Sequence, residues 1–469
     1  MMACGVLGIV LKDGEDDLKA VASTGLGTLN HRGENAHGVA VLDGNGRIAT
    51  QKELGLVRDS KIFSNALRGN MLIGHTRYIT SSESSMSNAQ PIQLETESGI
   101  QYAISHNGNI ANDKGIKSIL RIEGNGVSDT RALGMLLGRG IGDNDLSGEM
   151  RSRLGMTIGS YSLAIVIGGK SPKLIATRDK YGYMPLFFGQ NERGFFVASE
   201  PVTLSRKYLD APYRPIAPGE MLEIDRTGVR TYQLFESQQK QYCMFQWIYM
   251  CRPDSTIEGA NVYKMRESMG FRIAGNYRPD VDCIVPVPDS GISVAYGYNQ
   301  ATGIPIRMGI VKDRYESKRS FMQEDQKLRV NVVNKKLSVV AEVVKGNRVL
   351  LMDDSLVRGT TIAGTIKELR DAGANEVHIA VSCPPIISQC HFGLDFYNKD
   401  LIARQYMDRK HEKMSELVAA KIGADSFYYP TIPDLVSAIG VREKDLCLSC
   451  LNGKYVQDVP QESEESRKG

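Results

Sequence analysis

The chain has 469 residues, more than a single hydrophobic core of roughly 250 to 300 residues accommodates, so at least two domains are expected. Its 57 Lys and Arg against 54 Asp and Glu leave a formal charge of +3 spread along the chain, which lends no support to a nucleic-acid partner. No apolar run reaches the ~20 residues that span a bilayer, and Met1–Gly8 lacks a basic start and a signal core; the expectation is a cytoplasmic protein without a membrane partner. Thiols stay reduced in that compartment, so its eight cysteines suit metal binding or catalysis better than a disulfide framework.

In chain order, the first half is dense in short β-like runs broken by Gly-containing turns: Met71–Tyr78, Tyr161–Gly169, Lys173–Asp179 and Gly194–Glu200. Helical patterns at Asp17–Asn30 and Asp129–Leu137 add up to sheets covered by helices. The polar, Gln-rich stretch Leu234–Cys243 reads as a joint. From Tyr263 the pattern alternates: a helix through Met269, a strand Cys283–Asp289, a helix through Gln300, a strand Arg348–Asp354, a helix through Ala372 and a strand Val377–Cys383. That succession predicts a parallel sheet. The domains are placed at 4–233 and 243–455, and 456–469, which ends in QESEESRKG with nothing apolar to bury, is expected to be a disordered tail.

Cys4 precedes Gly5 and an apolar strand, and alone it would read as a small buried residue. It is followed by His31-Arg32-Gly33-Glu34-Asn35, Gly74-His75-Thr76-Arg77-Tyr78, His106-Asn107-Gly108-Asn109 and Ser128-Asp129-Thr130. The set and its order resemble the N-terminal-nucleophile glutamine amidotransferases, which implies an αββα sandwich. In that chemistry a terminal cysteine attacks the glutamine amide with its own α-amino group as base. Asn107, through its side chain, and Gly108, through its N–H, would stabilise the oxyanion. Arg77 suits the carboxylate of glutamine and Asp129 its ammonium, while Arg32 and Gly33 match a loop lining the same pocket. Residues 1–3 must then be removed as a propeptide, because the α-amino group is not free while Cys4 sits in a peptide bond.

The most informative stretch of the second half is Val349–Thr361, VLLMDDSLVRGTT. An apolar strand ends at Asp353 and Asp354, where open parallel sheets place ligands, and paired acids there suit vicinal hydroxyls or a hydrated divalent cation. Gly359 lets the backbone approach an anion, and Ser355, Thr360 and Thr361 add hydroxyls beside the N–H groups that open a helix near Ile362. Together they form a ribose-phosphate grip. The string resembles the phosphoribosyl-pyrophosphate signature of type I phosphoribosyltransferases, which brings Arg358 into the same set. By that resemblance the loop Val285–Gly291 holds pyrophosphate and Mg2+, its hydroxyl here being Ser290, and Arg314–Leu337 is a mobile lid, with Glu324 where the family usually has Pro.

Cys447-Leu448-Ser449-Cys450 is a CxxC motif compatible with a redox pair, zinc or an iron-sulfur cluster, and spacing does not choose among them. The matches over Cys4–Tyr455, including Cys243–Ser255 (CMFQWIYMCRPDS, with Gln246 and Trp247 where Glu and Tyr are usual), resemble the iron-sulfur-containing branch of the amidophosphoribosyltransferase family. The resemblance implies glutamine and phosphoribosyl pyrophosphate as substrates and phosphoribosylamine as product, with internal passage of ammonia. It further implies a [4Fe-4S] cluster on Cys243, Cys390, Cys447 and Cys450, purine nucleotides as feedback inhibitors, and a homotetramer. Cys251, Cys283 and Cys383 are left over, expected to be buried. Two other readings compete: a phosphoribosyl-pyrophosphate-binding regulator with an inactive glutaminase half, and an amidotransferase acting on a different acceptor. Cys4, Arg77, Asn107, Gly108 and Asp129 argue against the first and the Asp353-Asp354 string against the second.

Overall fold

The computed structural model describes residues 4–12, 18–64, 67–78, 86–122, 126–142, 144–236, 239–312 and 337–460. The expected propeptide, the lid apart from Leu337, and the tail from residue 461 lie outside the described residues.

The strand Gly5–Leu11 is buried along its whole length because both of its faces are covered. Side chains alternate across a strand. Leu7, Ile9 and Leu11 accordingly join a core with Leu18, Val21 and Leu26 of the helix Leu18–Leu29, whereas Val6 and Val10 point into a second core. That second core contains Ala103, Ala164, Val166 and Leu222 from another sheet. The first sheet is antiparallel and seven-stranded, with Gly5–Leu11 flanked by Gly194–Ala198 and Met71–Arg77. The second is antiparallel and six-stranded, with Gln101–Ile110 beside Gly159–Ile167. On its outer face the helix Asp129–Gly138 packs Ala132, Leu133 and Leu136 against Tyr102 and Ile104. Its N-cap Ser128 accepts a hydrogen bond from the N–H of Arg131 at 3.2 Å, a cap whose removal costs about 1 kcal/mol. Helix, sheet, sheet and helix are thus stacked in four layers.

The second half is built on a four-stranded parallel sheet in the order Cys283–Pro286, Arg348–Asp353, Glu376–Val381, Ser426–Tyr428. Helices Val262–Asn276 and Gly291–Thr302 cover one face, packing Met269 and Val294 on Leu350 and Met352. Helices Thr360–Asp371 and His411–Ile422 cover the other, through Ile362, Ile366 and Val418. The strand ends therefore open at one edge, where Asp353 closes the strand Arg348–Asp353.

The joint folds back onto both halves. The N–H of Gln241 bonds to the carbonyl of Tyr181 at 2.8 Å, and Tyr242–Cys243 pairs in parallel with Leu446–Cys447. The aromatic segment follows as a π-helical turn, Gln246–Met250, with Trp247 fully buried. Gln457, in the stretch expected as tail, bonds to both the N–H and the carbonyl of Gly159 at 3.0 and 2.8 Å. Among the described residues no helix is long and apolar enough to cross a membrane.

Candidate active sites

Cys4 sits at the mouth of the first sandwich, one residue before Gly5 pairs with Thr76. Burial pushes its thiol up, opposed by the N–H of Tyr78 and the charges of Arg77 and Arg32. A thiol so placed stays protonated and needs a base when it attacks. Arg77 ends the strand Met71–Arg77 and lies within electrostatic reach of both Cys4 and Asp129. Asp129 opens its helix and accepts from the N–H of Ile110 at 3.2 Å and of Thr130 at 2.7 Å. Cys4, a cation and an anion thus converge at one end of the two sheets.

Asn107 and Gly108 lie on the neighbouring strand, Gln101–Ile110, which His75 pins to the first sheet through a 3.1 Å bond from its Nε2 to the carbonyl of His106. Asn107 is buried, and its Nδ2 has no hydrogen-bond partner among the described residues. Leaving a buried donor unpaired costs about 1 to 3 kcal/mol, so such a group marks a place where a ligand supplies the acceptor. Gly108 has φ +149°, and a Cβ there would lie 2.2 Å from the carbonyl oxygen of Ser160, so only glycine fits.

Arg32 is fully buried and spends its guanidinium inside the protein. Its Nε donates to the carbonyl of Cys4 at 3.1 Å, Nη1 to Glu200 at 2.7 Å and to the Cys251 sulfur at 3.3 Å, and Nη2 to Gln246 at 3.1 Å. Glu200, which the sequence did not single out, also receives His31 and the Ser255 hydroxyl, and these partners hold its carboxyl well below the usual range despite burial. Gly33 supports the pocket from behind: a Cβ on it would lie 2.5 Å from the Arg77 backbone.

At the second site half-buried Asp353 and buried Asp354 are adjacent acids whose carboxyls are both pushed up by desolvation, Asp353 also by the charge of Asp354. Asp354 accepts from the hydroxyls of Ser290 and Ser355, both at 2.5 Å, and its N–H donates to Asp353 at 2.8 Å. Ser290 arrives because the N–H of Val287 bonds to the carbonyl of Met352 at 2.8 Å, laying one loop along the other. Gly359, with φ +82°, turns the chain into the helix Thr360–Asp371, whose exposed Thr360 and Thr361 precede a first turn without acidic residues. Arg358 is exposed and paired with Asp400 at 2.9 Å. Buried paired acids next to a free helix N-terminus can take a cation with hydroxyls on one side and a phosphate on the other.

Tyr78 and Tyr249 lie between the two sites. The N–H of Tyr78 bonds to Cys4, while its phenol feels Asp395 and Arg358; Tyr249, raised chiefly by burial, feels Asp354, Tyr78 and Glu34. Tyr78 sat within a recognised motif without an assigned role. Arg266, buried beneath the acids, donates to the carbonyls of Trp247 and Cys251 at 2.8 and 2.9 Å; no local sequence signal marked it.

Cys243, Cys390 and the Cys447–Cys450 pair are brought together from three segments. Cys243 and Cys447 are register partners, and the Cys450 thiol, raised by burial, feels Cys390, Cys447, Cys383 and Cys243. The N–H of Phe392 donates to the Cys390 sulfur at 3.3 Å. Among the described residues no three ligand-type side chains close on a point as a single ion requires. Cys251, Cys283 and Cys383 are buried, as expected.

A family model described as a glutamine amidotransferase domain matches residues 75–206, and one described as a phosphoribosyl transferase domain matches 262–416. Amidophosphoribosyltransferases of Mycobacterium tuberculosis and Methanocaldococcus jannaschii are each 36% identical to the chain, covering 98% and 97% of it and 87% and 98% of their own lengths. A solved structure of the glutamine phosphoribosylpyrophosphate amidotransferase of Bacillus subtilis, complexed with ADP and GMP, superposes with a TM-score of 0.84 at 34% identity, covering 98% of this chain and 99% of that one. A structure described as the allosteric regulatory enzyme of purine biosynthesis gives 0.85 at 34% identity, covering 98% and 97%.

Proposed function

This chain belongs to the amidophosphoribosyltransferase family, and from that premise we propose a role for each of its site residues. As a member it transfers the amide nitrogen of glutamine to phosphoribosyl pyrophosphate, giving 5-phosphoribosylamine, glutamate and pyrophosphate, the step that opens purine synthesis. The regulator reading is not favoured.

In the glutaminase half, removal of residues 1–3 frees the α-amino group of Cys4, which takes the thiol proton as sulfur attacks the amide carbon. The oxyanion forms against Asn107 Nδ2 and the N–H of Gly108, ammonia leaves, and water hydrolyses the thioester to glutamate. Arg77 holds the substrate carboxylate and Asp129 its ammonium. Arg32 fixes the Cys4 carbonyl, and Gly33 backs the Arg77 main chain. The observation that carries this reading is the buried, unpartnered Nδ2 of Asn107 beside a glycine that admits no other residue.

In the transferase half, Asp353 and Asp354 take the ribose hydroxyls, and Ser355, Arg358, Gly359, Thr360 and Thr361 take the 5-phosphate at the helix N-terminus. Ammonia displaces pyrophosphate at C1. The acids with Ser290 fit Mg2+, because two adjacent carboxyls, with Arg266 within electrostatic reach of Asp354, still carry an excess of negative charge; when bound, it would supply positive charge against the diphosphate leaving group. Ammonia passes internally, alongside Tyr78 and Tyr249. Purine nucleotides act as feedback inhibitors, and the enzyme is a homotetramer of the cytoplasm.

The four cysteines fit a structural [4Fe-4S] cluster better than zinc. Their thiols lie within electrostatic reach of one another, and an N–H bond to a cysteine sulfur is a feature of cluster sites. Iron and sulfide analysis of anaerobically purified protein is expected to give four of each per chain; bound zinc without iron would overturn it.

The decisive experiment is Cys4→Ala, followed as phosphoribosylamine formation from glutamine and from ammonium salts. Synthesis from glutamine should disappear while synthesis from ammonia persists. Retention of glutamine-dependent synthesis would overturn the assignment of Cys4.

A further inference from the structure

We propose that His391–Gly393, carried by the transferase half, forms part of the glutaminase machinery: it is a positioning segment that sets the strand presenting Asn107 and Gly108. The proposal rests on the oxyanion reading above. Three consecutive residues attach to that strand. The carbonyl of His391 accepts from Asn109 Nδ2 at 2.8 Å. The carbonyl of Phe392 accepts from the Ser160 hydroxyl at 2.8 Å, and the Ser160 hydroxyl oxygen in turn accepts the N–H of Asn109 at 3.2 Å. Ser160 thereby bolts the main chain immediately after Gly108 to the other half of the protein. Gly393 lies so close that a Cβ on it would be 3.4 Å from the Cα and carbonyl carbon of Gly108. Phe392 is anchored by stacking on Tyr183, ring centres 4.2 Å apart.

The chemistry makes this contact consequential. An oxyanion donor acts only where the charge develops, and a displacement of about 1 Å on the strand costs on the order of a hundredfold in rate. Gly108 has only its main chain to offer, so nothing but its neighbours can aim its N–H. One neighbour, Asn109, is held by its side chain directly on His391, 282 positions away, and by its N–H on Ser160, which in turn bonds to Phe392. Cys390 opens the same segment and receives the Phe392 N–H, so geometry at Cys390 reaches Gly108 within three residues.

The test uses the full-length enzyme with Ser160→Ala and Asn109→Ala, alone and combined, and Asn107→Ala as reference. Steady-state glutamine hydrolysis, Cys4 alkylation by iodoacetamide and synthesis from ammonium salts are measured on each. For the combined variant kcat for glutamine should fall about ten- to a hundredfold, with KM within roughly twofold, because donors aimed at the oxyanion act on the transition state alone. Alkylation, which passes through no oxyanion, and ammonia-dependent synthesis should be retained. An unchanged kcat, or a raised KM at constant kcat, overturns the proposal provided Asn107→Ala lowers kcat; if Asn107→Ala leaves hydrolysis unchanged, the oxyanion reading itself falls. Should the combined variant lose ammonia-dependent synthesis through misfolding, Asn109→Ala alone, at a half-buried position, decides by the same kcat and KM readout.

Discussion

The two reaction centres solve opposite electrostatic problems. The glutaminase pocket is balanced from within: Arg77 and Asp129 stand within reach of each other and of Cys4, and a neutral donor, Asn107 Nδ2, is left unfilled among the described residues. The transferase pocket carries an excess of negative charge: Asp353 is half-buried and Asp354 buried beside it, with hydroxyls and one main-chain N–H as their hydrogen-bond donors and Arg266 as the cation within reach of Asp354. The first can stay folded and ready without substrate, whereas the second holds like charges together, a repulsion that the proposed cation and sugar hydroxyls would relieve. The pockets should therefore respond differently to neutralising a charge.

Asp354→Asn is expected to have the largest effect and to test the contrast most directly. Synthesis from either glutamine or ammonia should fall by roughly a thousandfold, about 4 kcal/mol of transition-state stabilisation, because a ligand to the cation and the ribose is gone. In chelator, however, the variant should melt at a higher temperature than the parent, since burial disfavours the charge that is removed at Asp354, and that charge in turn disfavours ionisation of Asp353. A lower melting temperature in chelator would show that the acids are compensated after all, and the contrast would fail.

Arg77→Lys addresses the balanced pocket. Lysine keeps the charge but not the planar fork, so KM for glutamine should rise about ten- to a hundredfold while ammonia-dependent synthesis is unchanged. A change in kcat alone would place Arg77 in the chemistry rather than in substrate binding.

What was legible in the sequence is what is encoded locally. The strand Arg348–Asp353, its two acids and the glycine-led helix start were readable because thirteen consecutive residues carry an apolar run, charges and hydroxyls in functional order. The layered first half was readable from alternating apolar runs, and the comparisons agree with the two-domain fold class. What escaped depends on contacts between distant segments. Glu200 meets Arg32 across 168 positions, and Asn109 meets His391 across 282. Nothing in the local pattern at either end announces such a bond. Arg32 shows the same limit from another side: its motif located it at the pocket, but only the packing reveals that its guanidinium is consumed by Cys4, Glu200, Gln246 and Cys251.

The smallest effect concerns pH, and it separates the halves by sign. Burial lowers His75 to about 3, and His106 beside it is lowered for the same reason. The unfolded chain takes a proton at His75 near pH 6.5 and the folded chain only near 3, so between those values the unfolded state binds more protons and acidification costs stability. For His75 alone the slope is at most about 1.4 kcal/mol per pH unit. Asp353 and Asp354, raised by burial, act in the opposite sense: the folded state holds their protons longer, so stability is lost as pH rises through their folded range. Urea midpoints in chelator from pH 7 down to 5 should therefore carry two opposing contributions. Glutamine at position 75 retains a donor for the His106 carbonyl but cannot titrate, so His75→Gln should flatten the acid-side loss and leave the alkaline-side loss of the acids exposed. If His75→Gln and the parent show the same pH dependence, His75 is not the source of acid sensitivity, and the contribution set against the paired acids would have to come from His106.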